Sequence, residues 1–329
     1  ILLAVKTARD YARKKFPTIV TPEIILPKTI HPAFVKACHY FDIHPVWVNV
    51  DEGYRAVPSL IAEAITSKTI MIAASAPSYP HGIIDPIEAI GTIASKHDLL
   101  FHVDACIGGM MLPFVKKLGY KIPPFDFSVS GVTSMSTDIH KYGYAAKGAS
   151  VILYNSRALR KYQFSIYTKW QGGVYGSPGV AGSKPGGSIA AAWAALNGIG
   201  MDGYLELANR TMETTKYLKN EVAKVEELNI MGNPQMSIFA FGSEILNMYE
   251  LADELNLKGW HFERLQDPPA IHLSVSQVHD QVAEQFIEDL KECVNKVKKF
   301  KMRKIKDNIQ LEVIKRLVKI LPEGLIAKV

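Results

Sequence analysis

Cysteine is scarce: Cys38, Cys106 and Cys293 are the only three in 329 residues. An odd, scattered set of thiols cannot build a disulfide framework and fits a reducing compartment. The cysteines and the ten histidines show no C-x-x-C or H-E-x-x-H spacing, so no metal centre is expected. Long apolar runs are also missing. No window approaches the roughly eighteen uninterrupted apolar residues of a membrane-crossing helix, and no signal peptide is visible. Repeats and low-complexity tracts do not occur, which excludes fibrous and largely disordered classes.

What is present is an apolar fraction of 48%, enough for a large buried core, and a length that suits one large domain with a smaller one. The net charge of +6 has a local source in 296–306, a stretch crowded with lysine and arginine. Such a run is usually a solvated helix face. Peripheral contact with anionic lipid headgroups is the sharper reading, and nothing else in the chain supports a nucleic-acid partner.

Apolar periodicity predicts an amphipathic helix over 1–16, a strand over 18–26, and a helix opened by His31-Pro32, where proline's missing N–H costs nothing. A strand at 46–50, a helix at 58–67, a strand at 69–74, a helix at 86–97 and a strand at 99–103 follow. This alternation predicts an α/β fold with a mostly parallel sheet covered by helices on both faces. Strands are expected at 127–132 and 149–154, then a polar, aromatic-bearing connection at 154–169 and a glycine-rich segment without regular periodicity at 171–187. A small-residue helix at 188–198 and a long one at 203–227 lead to a strand at 236–241, a helix at 247–255, a strand at 270–275 and a helix at 278–299, with a further helix at 307–320. The division expected is 1–200 for a large ligand-binding domain and 201–329 for a linking helix with a small α/β C-terminal domain.

Chemistry concentrates at strand ends. In the run Gly131-Val-Thr-Ser-Met-Ser-Thr-Asp-Ile-His-Lys-Tyr-Gly143, an apolar strand gives way to hydroxylic residues and then to Asp138, His140 and Lys141. A lysine desolvated there would favour the free amine, able to form a Schiff base with a carbonyl; the plainer alternative is a surface lysine in a loop. Upstream, the strand at 99–103 ends in Asp104, where ligands of open sheets bind. Such a carboxylate suits the ring nitrogen of pyridoxal phosphate, and its plainer alternative is a helix cap. Tyr79 and His81 follow another strand end, and His31 marks a strand-to-helix junction. Cys106 borders Asp104 but is assigned no role.

Three motifs together resemble one family: Thr137-Asp-Ile-His-Lys141-Tyr-Gly143, Ser75-Ala-Pro-Ser-Tyr79-Pro-His-Gly-Ile-Ile-Asp85-Pro86, and Trp170-Gln-Gly-Gly-Val-Tyr175 running on to Pro185-Gly-Gly187. They are similar to those of the sphingosine-1-phosphate lyases, in the group II decarboxylase-like branch of fold-type I pyridoxal phosphate enzymes. The resemblance extends from the first residue to about residue 300. It implies pyridoxal 5'-phosphate as cofactor, held by Lys141, Asp104, His31, His140 and Ser183, with the His31 ring stacked on the cofactor. It further implies Lys141, His140 and Tyr79 as catalytic groups, and Lys147 and Tyr175 as contacts for the substrate phosphate. The expected reaction is retro-aldol cleavage of a phosphorylated sphingoid base to a fatty aldehyde and phosphoethanolamine, in a homodimer with composite active sites. An amino-acid decarboxylase is the rival with the same chemistry, and a catalytically silent scaffold the rival without it.

The opening helix starts on Ile1-Leu2-Leu3, without the Ser, Thr, Asp or Asn that usually caps a helix. Its true start is expected upstream, in a segment that by the resemblance supplies the cofactor's phosphate cup. Eukaryotic members of the family also carry an upstream membrane anchor, so a cytoplasm-facing, membrane-associated location is expected.

Overall fold

Parallel strands buried on both faces need helices on each side of the sheet, and the chain supplies them in alternation. The computed structural model describes residues 1–299. Two compact units are present: Ile1–Lys216 with Met231–Ala240 and Ser274–Asp280, and Tyr217–Ile230 with Phe241–Leu273 and the residues from Gln281 on.

In the first unit, strands β1 (Glu23–Pro27), β2 (His44–Val48), β3 (Thr69–Ser75), β4 (Leu100–Asp104), β5 (Ser134–Asp138) and β6 (Ser150–Tyr154) form one sheet in the order β2-β1-β3-β4-β5-β6. Every pairing is parallel except that of β5 with β6. Helices α1 (Leu2–Lys15), α2 (Ala33–Phe41), α3 (Pro58–Glu63), α4 (Ile87–Lys96) and α5 (Leu112–Lys117) fall before or between them, and α6 (Arg157–Arg160) follows β6. Because side chains alternate along a strand, β1 sends Ile24 and Leu26 into a core shared with α1 and α2, and Ile25 into a second core with α3, α4 and α5. All three are fully buried, each contributing about 2 kcal/mol of apolar burial.

The strand expected at 127–132 is absent and β5 begins at Ser134 instead. The 127–132 backbone turns: Asp126 Oδ1 accepts from the Ser128 N–H, the Val129 N–H bonds Asp126 O, and Gly131 takes φ +92°. A Cβ on Gly131 would lie 2.2 Å from Gly91 O, so only glycine fits. The buried strand is made of Ser134, Met135, Ser136 and Thr137, whose hydroxyls are small enough to pack and, at Ser134 and Ser136, find partners on β4. β1 is also shorter than the strand expected over 18–26, beginning only after Pro22.

Where an irregular connection was expected, β7 (Ser165–Trp170) and β8 (Gly173–Ser177) form an exposed antiparallel ribbon. α7 (Gly186–Ala223) is two helical runs broken at Gly200 (φ 63°), close to the break expected between 198 and 203. β9 (Asn229–Ile230), β10 (Ile238–Gly242), α8 (Met248–Leu257), β11 (Glu263–Gln266) and β12 (Pro269–Ser274) follow, the strands forming a sheet in the order β11-β12-β10-β9. Asn247 caps α8 through the Tyr249 and Glu250 N–H groups. Residues 283–299 are helical. Within the second unit Lys296 pairs with Glu254 and Lys298 with Glu227, so these two lysines of the basic run are engaged in ion pairs. The rest of that run and the helix expected at 307–320 lie outside the described residues. No helix among the described residues is long and apolar enough to cross a membrane.

Candidate active site

The carboxyl ends of three adjacent parallel strands set the site. Register places Ser75 of β3 beside Asp104 of β4, and Asp104 beside Ser136 of β5. Asp104 is buried, and its Oδ1 accepts from the Cys106 N–H (3.1 Å) and the Ser136 hydroxyl (3.0 Å). The first bond closes a turn two residues on and is not the helix cap that sequence alone allowed, since the next helical turn begins only at Gly108. The second ties the carboxylate to the neighbouring strand. Both fall on Oδ1, so Oδ2 keeps acceptor capacity.

Directly after β5 the chain turns, with the Lys141 N–H on Asp138 O and the Tyr144 N–H on Lys141 O. This turn folds Lys141 back onto the strand end: its Nζ lies 2.9 Å from Asp138 Oδ2, with about 33% of the side chain exposed. The lysine is therefore half-shielded and ion-paired, between the partly desolvated amine and the surface loop lysine that the sequence left open. Asp138 Oδ1 also accepts from the Ser150 hydroxyl at 2.5 Å, and His140 Nε2 stands 3.8 Å from Oδ2. Burial alone would raise the Asp138 carboxyl, but the Ser150 hydroxyl, the Lys141 cation and His140 outweigh it and hold it below the usual carboxylate range. His140 Nδ1 donates to Ala149 O at 3.0 Å, so Nε2 is the nitrogen that gains or loses the second proton.

A cleft of about 350 Å³ opens over this turn, lined by Tyr79, Ile107, His140, Lys141, Tyr142, Tyr144, Lys147, Ser274 and Ser276. Four residues singled out from sequence thus share one cavity: Tyr79, His140, Lys141 and Lys147. His31 meets Tyr79 edge-on, ring centroids 6.5 Å apart at 83°, and its Nδ1 accepts from the Ala33 N–H at the start of α2. Although part of the ring faces solvent, its imidazole titrates below the ordinary histidine range. Partial desolvation lowers it, Asp104 opposes, Lys141 lowers it further and Asp138 opposes. Tyr175 and Ser183 stand apart on β8 and the following loop, both exposed and neither lining the cleft.

Sequence reasoning gave Asp138 no role, though its i, i+3 spacing to Lys141 was a usable signal. It also passed over Tyr142, buried with its hydroxyl donating to Val275 O (2.7 Å) and accepting from Ser237 (2.8 Å). Ser274 and Ser276 arrive from more than a hundred residues away and carry no local motif.

A buried carboxylate at the end of one strand and a half-shielded amine after the next suit a planar, cationic heterocycle bearing a carbonyl group. The carboxylate matches a ring N–H, and the amine matches the carbonyl carbon.

Residues 17–243 match the family model described as the pyridoxal-dependent decarboxylase conserved domain. A sphingosine-1-phosphate lyase of Arabidopsis thaliana is 48% identical over 298 residues, which are 91% of this chain and 55% of that protein. The chain thus spans little more than half of that relative. A solved sphingosine-1-phosphate lyase of Burkholderia pseudomallei superposes with a TM-score of 0.88 at 39% identity, covering 95% of this chain and 72% of that one. A glutamate decarboxylase of Lactobacillus brevis shares the fold, with a TM-score of 0.78 at 20% identity over 90% of this chain and 72% of its own.

Proposed function

Because the chain belongs to the pyridoxal-dependent decarboxylase family, we propose that the whole protein is a carbon–carbon lyase that cleaves phosphorylated sphingoid bases, such as sphingosine 1-phosphate, to a fatty aldehyde and phosphoethanolamine. The observation that carries this reading is a pair of lysines in one cleft. Lys141 is the amine for a cofactor carbonyl, and Lys147 is a second cation for a substrate phosphate. A decarboxylase of neutral or basic amino acids has no need of the second, although one of acidic amino acids could use it for a side-chain carboxylate. The 48% identity to a lyase, against 20% to a glutamate decarboxylase, favours the same side.

Pyridoxal 5'-phosphate, when bound, supplies an electron-accepting ring for the pair released from the C2–C3 bond. In this reading Asp104 accepts the ring N–H, Lys141 and His140 hold the cofactor from the turn after β5, and His31 covers the ring face. Tyr79, His140 and Lys141 line the cleft and are the groups placed to take the C3 hydroxyl proton, His140 through the Nε2 lone pair that its bond to Ala149 leaves open. Tyr142, anchored to Ser237 and Val275, keeps the Lys141 turn beside the Ser274–Ser276 wall.

The same reading makes the protein a homodimer whose neighbouring subunit supplies Tyr175 and Ser183. β7, β8 and the start of α7 leave Ile166 (68%), Val174 (74%) and Trp193 (69%) exposed, with Tyr167 and Trp170 beside them. Large exposed apolar side chains on these elements suit burial against a partner. The unit beginning at Tyr217 then serves as the small C-terminal domain. A cytoplasm-facing site fits three free cysteines, and membrane association through another segment belongs to the same proposal.

Incubating the whole protein and its cofactor with phosphorylated sphingoid bases and with amino acids, while trapping aldehyde and carbon dioxide separately, tests the proposal. Aldehyde from the phosphorylated bases alone is the expected result. Carbon dioxide from an amino acid would establish the decarboxylase instead, and neither product, with cofactor bound, would leave a scaffold.

A further inference from the structure

Behind Asp104 lies a buried polar chain that the proposed reaction does not use. Side chains two apart on a strand share a face, so His102 and Asp104 of β4 stand beside Ser134 and Ser136 of β5 in register. His102 is fully buried, with Phe34 edge-on at 5.7 Å. Its Nδ1 lies 2.8 Å from Ser134 Oγ and its Nε2 3.2 Å from Ser136 Oγ.

Proton accounting gives these contacts a direction. A serine hydroxyl has one proton, and that of Ser136 goes to Asp104 Oδ1 at 3.0 Å. The His102 contact with Ser136 is then a hydrogen bond only if Nε2 carries the proton and donates. Nδ1 is left with its lone pair, and the Ser134 hydroxyl donates to it. Cys106 Sγ also donates to Ser136 Oγ at 3.3 Å, its thiol kept protonated chiefly by burial. Every proton in the chain therefore points toward Asp104. Burial, opposed by Asp104, pushes the His102 imidazolium down to about 3, so the ring stays neutral and its tautomer is set by the two serines.

We propose that His102 is a positioning residue which, through Ser136, holds Asp104 as an oriented carboxylate acceptor for the ring nitrogen of the cofactor. The proposal rests on the cofactor assignment above. A histidine that merely filled the core would need its two hydrogen bonds satisfied, but would not need them relayed to the carboxylate at the strand end.

The test compares cofactor affinity of the whole apoprotein for pyridoxal 5'-phosphate and for its 1-deaza analogue, in which the ring nitrogen is replaced by CH. Removing the hydroxyl in Ser136→Ala should weaken pyridoxal phosphate by about ten- to a hundredfold, the scale of one hydrogen bond to a charged group. The deaza analogue, which makes no demand on Asp104, should bind this variant as it binds the wild type. Ser136→Thr, which keeps the hydroxyl, should restore the preference. Independently, the ¹⁵N shifts of His102 should show the Nε2–H tautomer in the wild type. Equal losses for both compounds in Ser136→Ala, or an Nδ1–H tautomer, would overturn the proposal while leaving the cofactor assignment intact. Failure of the wild-type protein to bind either compound would remove the cofactor assignment, and the relay with it.

Discussion

Asp138 shows how much one side chain can organise. It is the acceptor for Lys141 Nζ and for the Ser150 hydroxyl, and it stands against His140, so three groups of the turn depend on its charge. Its carboxyl titrates below the usual range in the folded chain, where burial is outweighed by Ser150, Lys141 and His140. A carboxylate depressed in the folded state binds fewer protons folded than unfolded. Its stabilisation is fully present above the unfolded value of about 4 and is lost as pH falls through the lower folded value. Asp138→Asn should therefore destabilise the protein by about 1–3 kcal/mol at neutral pH, the scale for stripping one partner from a largely buried charged pair. The difference from wild type should shrink as unfolding is measured at successively lower pH below 4. A pH-independent difference would show that Asp138 acts only through packing.

The segment between β3 and α4 presents Tyr79 to the cleft, and Asp85 closes its base. Asp85 Oδ1 accepts from the Ala56 N–H (2.9 Å) and Oδ2 from the Ser75 N–H (2.7 Å), while the Ser78 N–H reaches Ile83 O across the loop. Burial pushes its carboxyl up to about 6, with the two N–H bonds opposing. The sign is opposite to that of Asp138. A group raised in the folded state contributes most below its unfolded value of about 4, and that contribution is lost as pH rises through about 6. Asp85→Asn leaves one acceptor oxygen for two N–H donors, at a cost of about 1–3 kcal/mol. Urea unfolding at intervals between pH 4 and pH 7 should find the advantage of wild type over Asp85→Asn largest at pH 4 and reduced beyond 6; an advantage that grows with pH would contradict this. At this scale much was legible in the sequence. Helix and strand alternation up to Asp104 could be read because those strands are apolar and bounded by turn residues. β5 could not, since three of its five side chains, Ser134, Ser136 and Thr137, are hydroxylic, and Ser134 and Ser136 are buried against His102 and Asp104 of the neighbouring strand. For the same reason Lys141, Asp104 and Tyr79 stood out at strand ends, whereas Ser274 and Ser276 reach the cleft only through the return of the chain.

For the molecule as a whole, the arrangement of Tyr175 is the informative feature. It is 47% exposed on a ribbon that is itself largely exposed, and it lies outside the cleft that holds Lys141 and Lys147. Under the proposed function Tyr175 serves the cleft of another subunit, and the exposed apolar side chains of its ribbon are suited to packing there. In the proposed dimer, twofold symmetry would make each site from Lys141 of one chain and Tyr175 of its partner. Lys141→Ala removes the amine and should abolish turnover. Tyr175→Phe, which removes the proposed phosphate donor, should reduce it by roughly tenfold or more. Mixing the two variants equally and allowing subunits to exchange makes half of the dimers hybrid. Each hybrid holds one site with both lesions and one with neither, so activity should return to about a quarter of the wild-type level. If Tyr175 instead served its own chain's site, no site in the hybrid would hold both groups intact, and activity would stay at the mean of the two variants even with exchange verified by mass spectrometry.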